Sequence, residues 1–203
     1  MRKFIVLLAL MLGGGYVQAQ GFGLEAGINF GSMTESYGSD LYKFKNHIGI
    51  YLGANYEYEI SDNMFLHGGL AISQYGGTYT DEDFWTKIKL NYLELPLMFK
   101  YAFDMSDQMK GFVIAGPVFA MGLSGTLSGG YDDNFDTEKV KFDGTSGMGH
   151  FKPMNNSFRV GGGLNFNNFE GGVYYSMGLS DIAPDVTTIK SSLFSIILGY
   201  RFN

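Results

Sequence analysis

The chain alternates apolar and polar residues with period two. From Phe22 to Phe30 every second residue is apolar (Phe22, Leu24, Ala26, Ile28, Phe30), and the residues between them, Gly23, Glu25, Gly27 and Asn29, are small or polar. Such alternation sends successive side chains to opposite faces of a strand. It returns seven times. The further apolar faces are the even positions from Ile48 to Ile60, then Leu66, Leu70 and Ile72, then the odd positions from Leu93 to Tyr101. Next come Phe112, Ile114, Val118 and Ala120, then Phe158, Val160, Leu164 and Phe166. The last two are the odd positions from Phe169 to Leu179 and the even positions from Phe194 to Phe202. Pro96 lies on the polar face of the fourth segment. It cannot donate to a strand ladder, which predicts a bulge there.

Segment length separates two all-β architectures. Soluble sandwich strands run about 5–6 residues, whereas a tilted strand needs about 9–11 to cross a bilayer. These segments match the second length. The connections agree. Short ones, at 61–63, 104–110 and 167–168, alternate with long ones, at 31–46, 76–87, 123–156 and 180–190. Bacterial outer-membrane barrels have short turns on the periplasmic side and long loops outside. The sequence therefore predicts an all-β, eight-stranded antiparallel up-and-down transmembrane β-barrel with both termini in the periplasm. Phe22, Tyr56, Tyr58, Phe99, Tyr101, Phe112, Phe166, Phe169, Tyr200 and Phe202 would gather near the short-turn end. That is where an interfacial aromatic girdle belongs.

The N-terminus sets the compartment. Arg2 and Lys3 precede an apolar run, Phe4–Leu12, then Gly13-Gly14-Gly15 and the compact Val17-Gln18-Ala19. This is the plan of a cleaved secretory signal, and the apolar run is shorter than the roughly 20 residues of a spanning helix. The expected division is a signal peptide at 1–19 and a barrel domain at 20–203, in the outer membrane of a Gram-negative cell. The chain has no Cys, which leaves neither a lipid-anchored cysteine nor a disulfide framework. Its 30 Gly, 18 Phe, 14 Tyr and only 4 Pro suit strands and tight turns. A net charge of −6 argues against nucleic acid as a partner.

The strand Leu90-Asn-Tyr-Leu-Glu-Leu-Pro-Leu-Met-Phe-Lys-Tyr101 resembles a characteristic strand of the PorT-like outer-membrane β-barrel family. The opening Gly23–Gly31 and the closing Leu198–Phe202 look like that family's first and last strands. The resemblance implies an eight-stranded outer-membrane barrel. Some members of that family are linked to secretion or assembly at the outer membrane.

The candidate chemistry is interior. Glu25, Glu57, Glu59, Glu94 and Glu170 face inward with Lys100, Arg159 and Arg201. The lumen of an eight-stranded barrel is just wide enough for side chains to fill. Buried charges there must pair, so Arg201 is expected to bridge Glu25, Glu170 or both as part of a plug. A narrow channel for small solutes or ions is the alternative. His47, His67 and His150 are scattered, with no zinc spacing and no Ser-His-acid set, so no enzyme and no cofactor are expected. Asp132, Asn134 and Asp136 have the spacing of calcium-loop ligands. Thr137 and Asp143, however, stand where that loop needs Gly and Glu, and the simpler reading is an acidic, solvated loop. Trp85 reads as an interfacial anchor or a partner contact. The expected partners are membrane lipid and other envelope proteins, in a structural or binding role.

Overall fold

The computed structural model describes residues 21–37, 40–81, 84–131, 134–184 and 187–202. The expected signal peptide lies outside them. The regular elements of the described chain are all strands. They are β1 (Phe22–Tyr37), β2 (Asp40–Lys43), β3 (Lys45–Ser61), β4 (Met64–Asp81), β5 (Phe84–Ser106), β6 (Met109–Tyr131), β7 (Asn134–Lys139), β8 (Ser157–Phe166), β9 (Phe169–Gly178) and β10 (Thr188–Arg201). Eight form one antiparallel ring in the order β1-β3-β4-β5-β6-β8-β9-β10. β10 pairs back to β1 from Gly23↔Arg201 to Ser36↔Thr188. β2 and β7 are short flaps that fold back on β1 and β6. Closure leaves no unpaired ring edge, the condition for strands to cross a bilayer.

Period two places the two faces. Leu24, Ile28, Leu52, Leu66, Ile72, Phe99, Val173 and Leu198 point outward, and Leu198 is 67% exposed. An apolar wall of this extent is untenable in water and natural in lipid. On β5 the outward apolar run reaches from Leu93 to Phe103, about 25 Å once the strand tilt is allowed for. Nine of the ten expected girdle aromatics are exposed on this wall at the short-turn end. Several touch one another: Phe22 stacks on Phe202 at 5.7 Å, and Phe169 meets Tyr200 edge-on at 5.2 Å.

The tenth is a correction. Phe112 is 1% exposed and faces the lumen, together with Ile114, Val118 and Ala120. β6 is apolar on both faces, because Val113, Phe119 and Met121 form its outer side. The more apolar set of β6, expected to face lipid, is therefore its inner face. Pro96 is a second correction. Register is the same on either side of it, from Pro96↔Val118 to Phe99↔Ala115, and the irregularities of this pairing lie at Asn91/Tyr92 and Asp104/Ser106. The missing N–H is accommodated where the ladder to β4 lapses, between Gly68↔Leu97 and Ala71↔Glu94. Glu59, expected inside, stands exposed at the short-turn end.

The expected loops 31–46 and 76–87 and the start of 123–156 are largely strand. Above the apolar belt the alternation continues with reversed sense. Tyr75, Ile88, Leu90 and Tyr92 point inward and are buried, whereas Gln74, Lys87, Lys89 and Asn91 point outward. The backbone still needs ladder partners there, so the barrel extends beyond the belt as a water-compatible collar. Two segments then fold back into its mouth, 140–156 and 179–184. Gly122 N–H donates to Pro153 O (2.8 Å), Asn155 N–H to Ala120 O (2.9 Å) and Lys152 N–H to Ile182 O (2.9 Å). Val140, Phe151, Ile182 and Ala183 pack on Met33, Phe44, Tyr75, Leu90 and Tyr92 as one apolar cluster. Gly122 makes the approach possible, since a Cβ there would lie 2.3 Å from the Phe142 ring.

Candidate functional site

The barrel interior is the candidate site, and its polar groups stand in tiers. Nearest the short turns, four strands contribute to an ion cluster. Glu57 comes from β3, Lys100 from β5, Glu170 from β9 and Arg201 from β10. Lys100 Nζ donates to Glu57 Oε1 at 2.8 Å and also contacts the Glu170 carboxylate. Arg201 Nη2 donates to Glu170 Oε2 at 2.9 Å, and its Nη1 lies 2.5 Å from Glu57 Oε2. His67 Nδ1 lies 3.1 Å from Glu57 Oε1, and Lys100 sits 4.3 Å above the Phe112 ring centroid. Arg201 thus meets Glu170 but not Glu25. Glu25 instead accepts from Tyr51 OH at 3.1 Å and lies 3.8 Å from His67 Nε2.

A second tier follows toward the long-loop end. Glu94 accepts Arg159 Nη2 and Tyr75 OH, each at 2.7 Å. Arg159 Nε donates to Ser176 Oγ at 2.7 Å, and the guanidinium lies 5.7 Å from the Tyr51 ring centroid. Glu94 is 0% and Arg159 1% exposed. Such burial is tolerable for a charge only when it is paired and hydrogen-bonded. A neutral group completes the filling: Asn29 Nδ2 donates to Ser73 Oγ (2.9 Å), and Asn29 Oδ1 accepts from Ser195 Oγ (2.7 Å).

Bulky side chains fill the space between the tiers. Tyr51, Met98, Phe112, Ile114, Tyr174 and Ile197 form a buried apolar cluster. Glycine provides seats for them: a Cβ on Gly161 would lie 2.4 Å from Tyr174, and one on Gly163 2.8 Å from Phe112. A cavity of about 680 Å³ opens at the short-turn end, and Glu57, Lys100, Glu170 and Arg201 form its inner wall. A second, of about 510 Å³, opens at the long-loop end and is floored by Ile88, Phe151 and Ile189. Between them, Glu94, Arg159, Asn29 and Ser195 are closed to solvent.

Seven of the eight expected interior charges, Glu25, Glu57, Glu94, Glu170, Lys100, Arg159 and Arg201, thus contact one another or inward tyrosines, and the eighth, Glu59, is exposed. Their partners Tyr51, Tyr75, Tyr174 and Ser176 are additions to the expected set. Their signal was aromatic or hydroxyl residues in the polar phase of a strand. The calcium candidates do not assemble into a described site. Asp132 lies outside the described residues, and Asp136 is exposed with Oδ1 accepting its neighbour Thr137 N–H. Among the described residues no group of three acidic or histidine side chains could hold a metal. Asp143 instead makes a loop contact: His150 Nδ1 lies 2.8 Å from its Oδ1, which also accepts Thr145 N–H. Those bonds hold its carboxyl well below the usual range.

Comparison with known proteins supplies the family. The model of the outer membrane protein beta-barrel domain matches residues 18–183. Neisserial surface protein A (NspA) is 14% identical, over 89% of this chain and 97% of its own, with a TM-score of 0.50. Ail, the attachment invasion locus protein of Yersinia pestis, is 17% identical over 90% and 99%, with a TM-score of 0.47. The outer membrane enzyme PagL is 16% identical over 86% and 99%, at 0.45. No curated protein matched. The family match and the apolar outer wall agree, and the chain belongs to the outer membrane protein beta-barrel domain family, a lipid-embedded barrel of the cell outer membrane.

Proposed function

We propose that this barrel is a sealed scaffold that displays its long-loop rim to a partner, with that rim outside the cell and both chain termini in the periplasm. The observation that carries the reading is the paired interior. Glu94 and Arg159 are fully buried against each other, with the four-stranded ion cluster on one side and the folded-in segments 140–156 and 179–184 on the other. An ion path needs sites that are entered and left easily, whereas these charges satisfy one another. The reading is non-enzymatic: His67 is committed to Glu57 and Glu25 rather than to a nucleophile. The likeness of Leu90–Tyr101 to the PorT-like strand supports a role beside the secretion or assembly machinery of the envelope.

Planar-bilayer recording tests the central point. The purified, folded protein is expected to be electrically silent over the usual voltage range. Stable, reproducible openings would replace the scaffold with the other reading, a narrow channel for small ions or solutes.

A further inference from the structure

The outer wall changes character along one line. Below it are Leu93, Ile72, Ile28 and Ile196. Above it, neighbouring strands form an outward polar ladder: Gln74 Nε2 donates to Asn91 Oδ1 and Asn91 Nδ2 to Ser124 Oγ, each at 3.0 Å. The next rungs on this side are basic. Cross-strand pairing sets Lys89 beside Thr126, and Thr126 beside Lys139. One rung higher it sets Lys45 beside Thr78, and Thr78 beside Lys87. Four lysines from β3, β5 and β7 thus share one face of the collar, just above the polar ladder that tops the apolar belt.

Three features distinguish this strip from ordinary surface lysines. None of the four forms an ion pair among the described residues. The described outward positions of β4, β5 and β6 above the belt carry Ser, Thr, Gly, Asn, Gln, Trp and Lys, the adjoining β7 positions Thr137 and Lys139 add no acid, and yet the chain as a whole carries −6. On the same rungs His47 packs over Gly76, the cross-strand partner of Lys89: a Cβ on Gly76 would lie 2.7 Å from His47 Cδ2. His47 is 8% exposed, and its Nε2 is buried without a hydrogen-bond partner.

We infer that this strip is a binding site for the phosphate-bearing head group of a membrane lipid whose acyl chains lie along the apolar belt below it. The height fits, because lysines two and three rungs above Leu93 can reach down along the polar rung and set their ammonium groups at head-group level. The charge fits, because a local excess of cations on an acidic protein selects anions there. The site is continuous with the lipid-facing wall, so one molecule can use both surfaces. The inference does not depend on which side of the membrane the long-loop end faces, nor on whether the lumen is sealed.

The test is lipid retention. The folded barrel in neutral detergent is offered phosphatidylglycerol or phosphatidylcholine, and bound lipid is counted by native mass spectrometry. Phosphatidylglycerol should be retained preferentially, and less so as salt rises. A juxtamembrane lysine contributes about 1 kcal/mol toward an anionic lipid, so each lysine removed should lower affinity about fivefold. K87Q/K89Q should therefore lose most of the preference. K110Q should keep it, because Lys110 lies at the opposite end and pairs with Asp104 at 3.3 Å. Heat-modifiable gel migration verifies that each variant is folded. Equal retention of both lipids, or an undiminished preference in folded K87Q/K89Q, overturns the proposal. Competition by free inorganic phosphate at the same concentration as the lipid also overturns it, since that would make the site a phosphate site without a lipid.

Discussion

At the scale of single residues, the charges inside the barrel are better understood as constraints than as sources of stability. Removing one partner of a fully buried pair leaves the other uncompensated, at a cost of about 3–5 kcal/mol, while replacing both with apolar side chains is often neutral. Glu94→Gln should therefore lower the urea midpoint of the folded barrel by an amount corresponding to about 3–5 kcal/mol, because Arg159 has its only carboxylate contact there among the described residues. The double variant Glu94→Leu/Arg159→Met should recover most of the loss. Equal stability of the single variant and the native protein would show that Arg159 finds water or another acceptor. The charges themselves were legible in sequence, because they occupied the polar phase of each strand. Their partners were harder to read. Which of Glu25, Glu57 and Glu170 meets Arg201 depends on strand stagger, and alternation carries no information on stagger. Phe112 shows the complementary limit, since a strand apolar on both faces has no phase to read.

At the scale of elements, the turns and belt strands follow local chemistry. Asn63 (φ 66°) and Asn167 (φ 51°) take the left-handed conformation at two-residue turns, a role Asn tolerates better than most side chains. The long connections are largely strand rather than loop for a physical reason. Above the belt the solvent changes from lipid to water, and the alternation inverts without stopping. The segments folded into the mouth depend on a few anchors. Asp181 is the chief one: Oδ1 accepts Ala183 N–H (3.0 Å) and Ile189 N–H (2.9 Å), and Oδ2 accepts Lys152 Nζ (2.7 Å). Burial pushes its carboxyl up, but these bonds win and hold it below its ordinary 3.8. A depressed carboxyl contributes fully above its ordinary value and loses that contribution as pH falls through the depressed one. The contacts of Asp181 with Ala183, Ile189 and Lys152 should thus be pH-insensitive from 5 to 8 and loosen below 3.8. Asp181→Ala at neutral pH should mimic the acid state. Losing about 2 kcal/mol of charge-assisted bonding should raise hydrogen exchange at the Ala183 and Ile189 amides roughly thirtyfold. Unchanged protection in the variant would assign the anchoring to the apolar contacts of Ile182 and Ile189 alone.

At the scale of the whole molecule, the seals act in series. The ion cluster lies at one end, the Glu94–Arg159 pair in the middle and the folded-in segments at the other end. Opening one should therefore leave the others closed. Replacing residues 141–152 by a short Gly-Ser link should leave the barrel silent in planar bilayers, and so should Lys100→Ala/Arg201→Ala. Conductance should appear only when the two changes are combined with loss of the middle pair. Ion flow through the 141–152 replacement alone would mean that the lumen groups do not obstruct, and that the mouth is the gate.

The seam between β10 and β1 has a consequence for how the protein is made. Ser195 reaches Asn29 across 166 residues of chain, and Arg201, on the final strand, is held by Glu57 near the beginning and Glu170 on the preceding strand. Until the last hairpin docks, both sheet edges lack partners and Glu57 lacks one of its cations. A half-built sheet is therefore a poor resident of hydrocarbon. Insertion should proceed as a single cooperative event, with the C-terminal strand as the latch that makes the product compatible with the membrane it has entered.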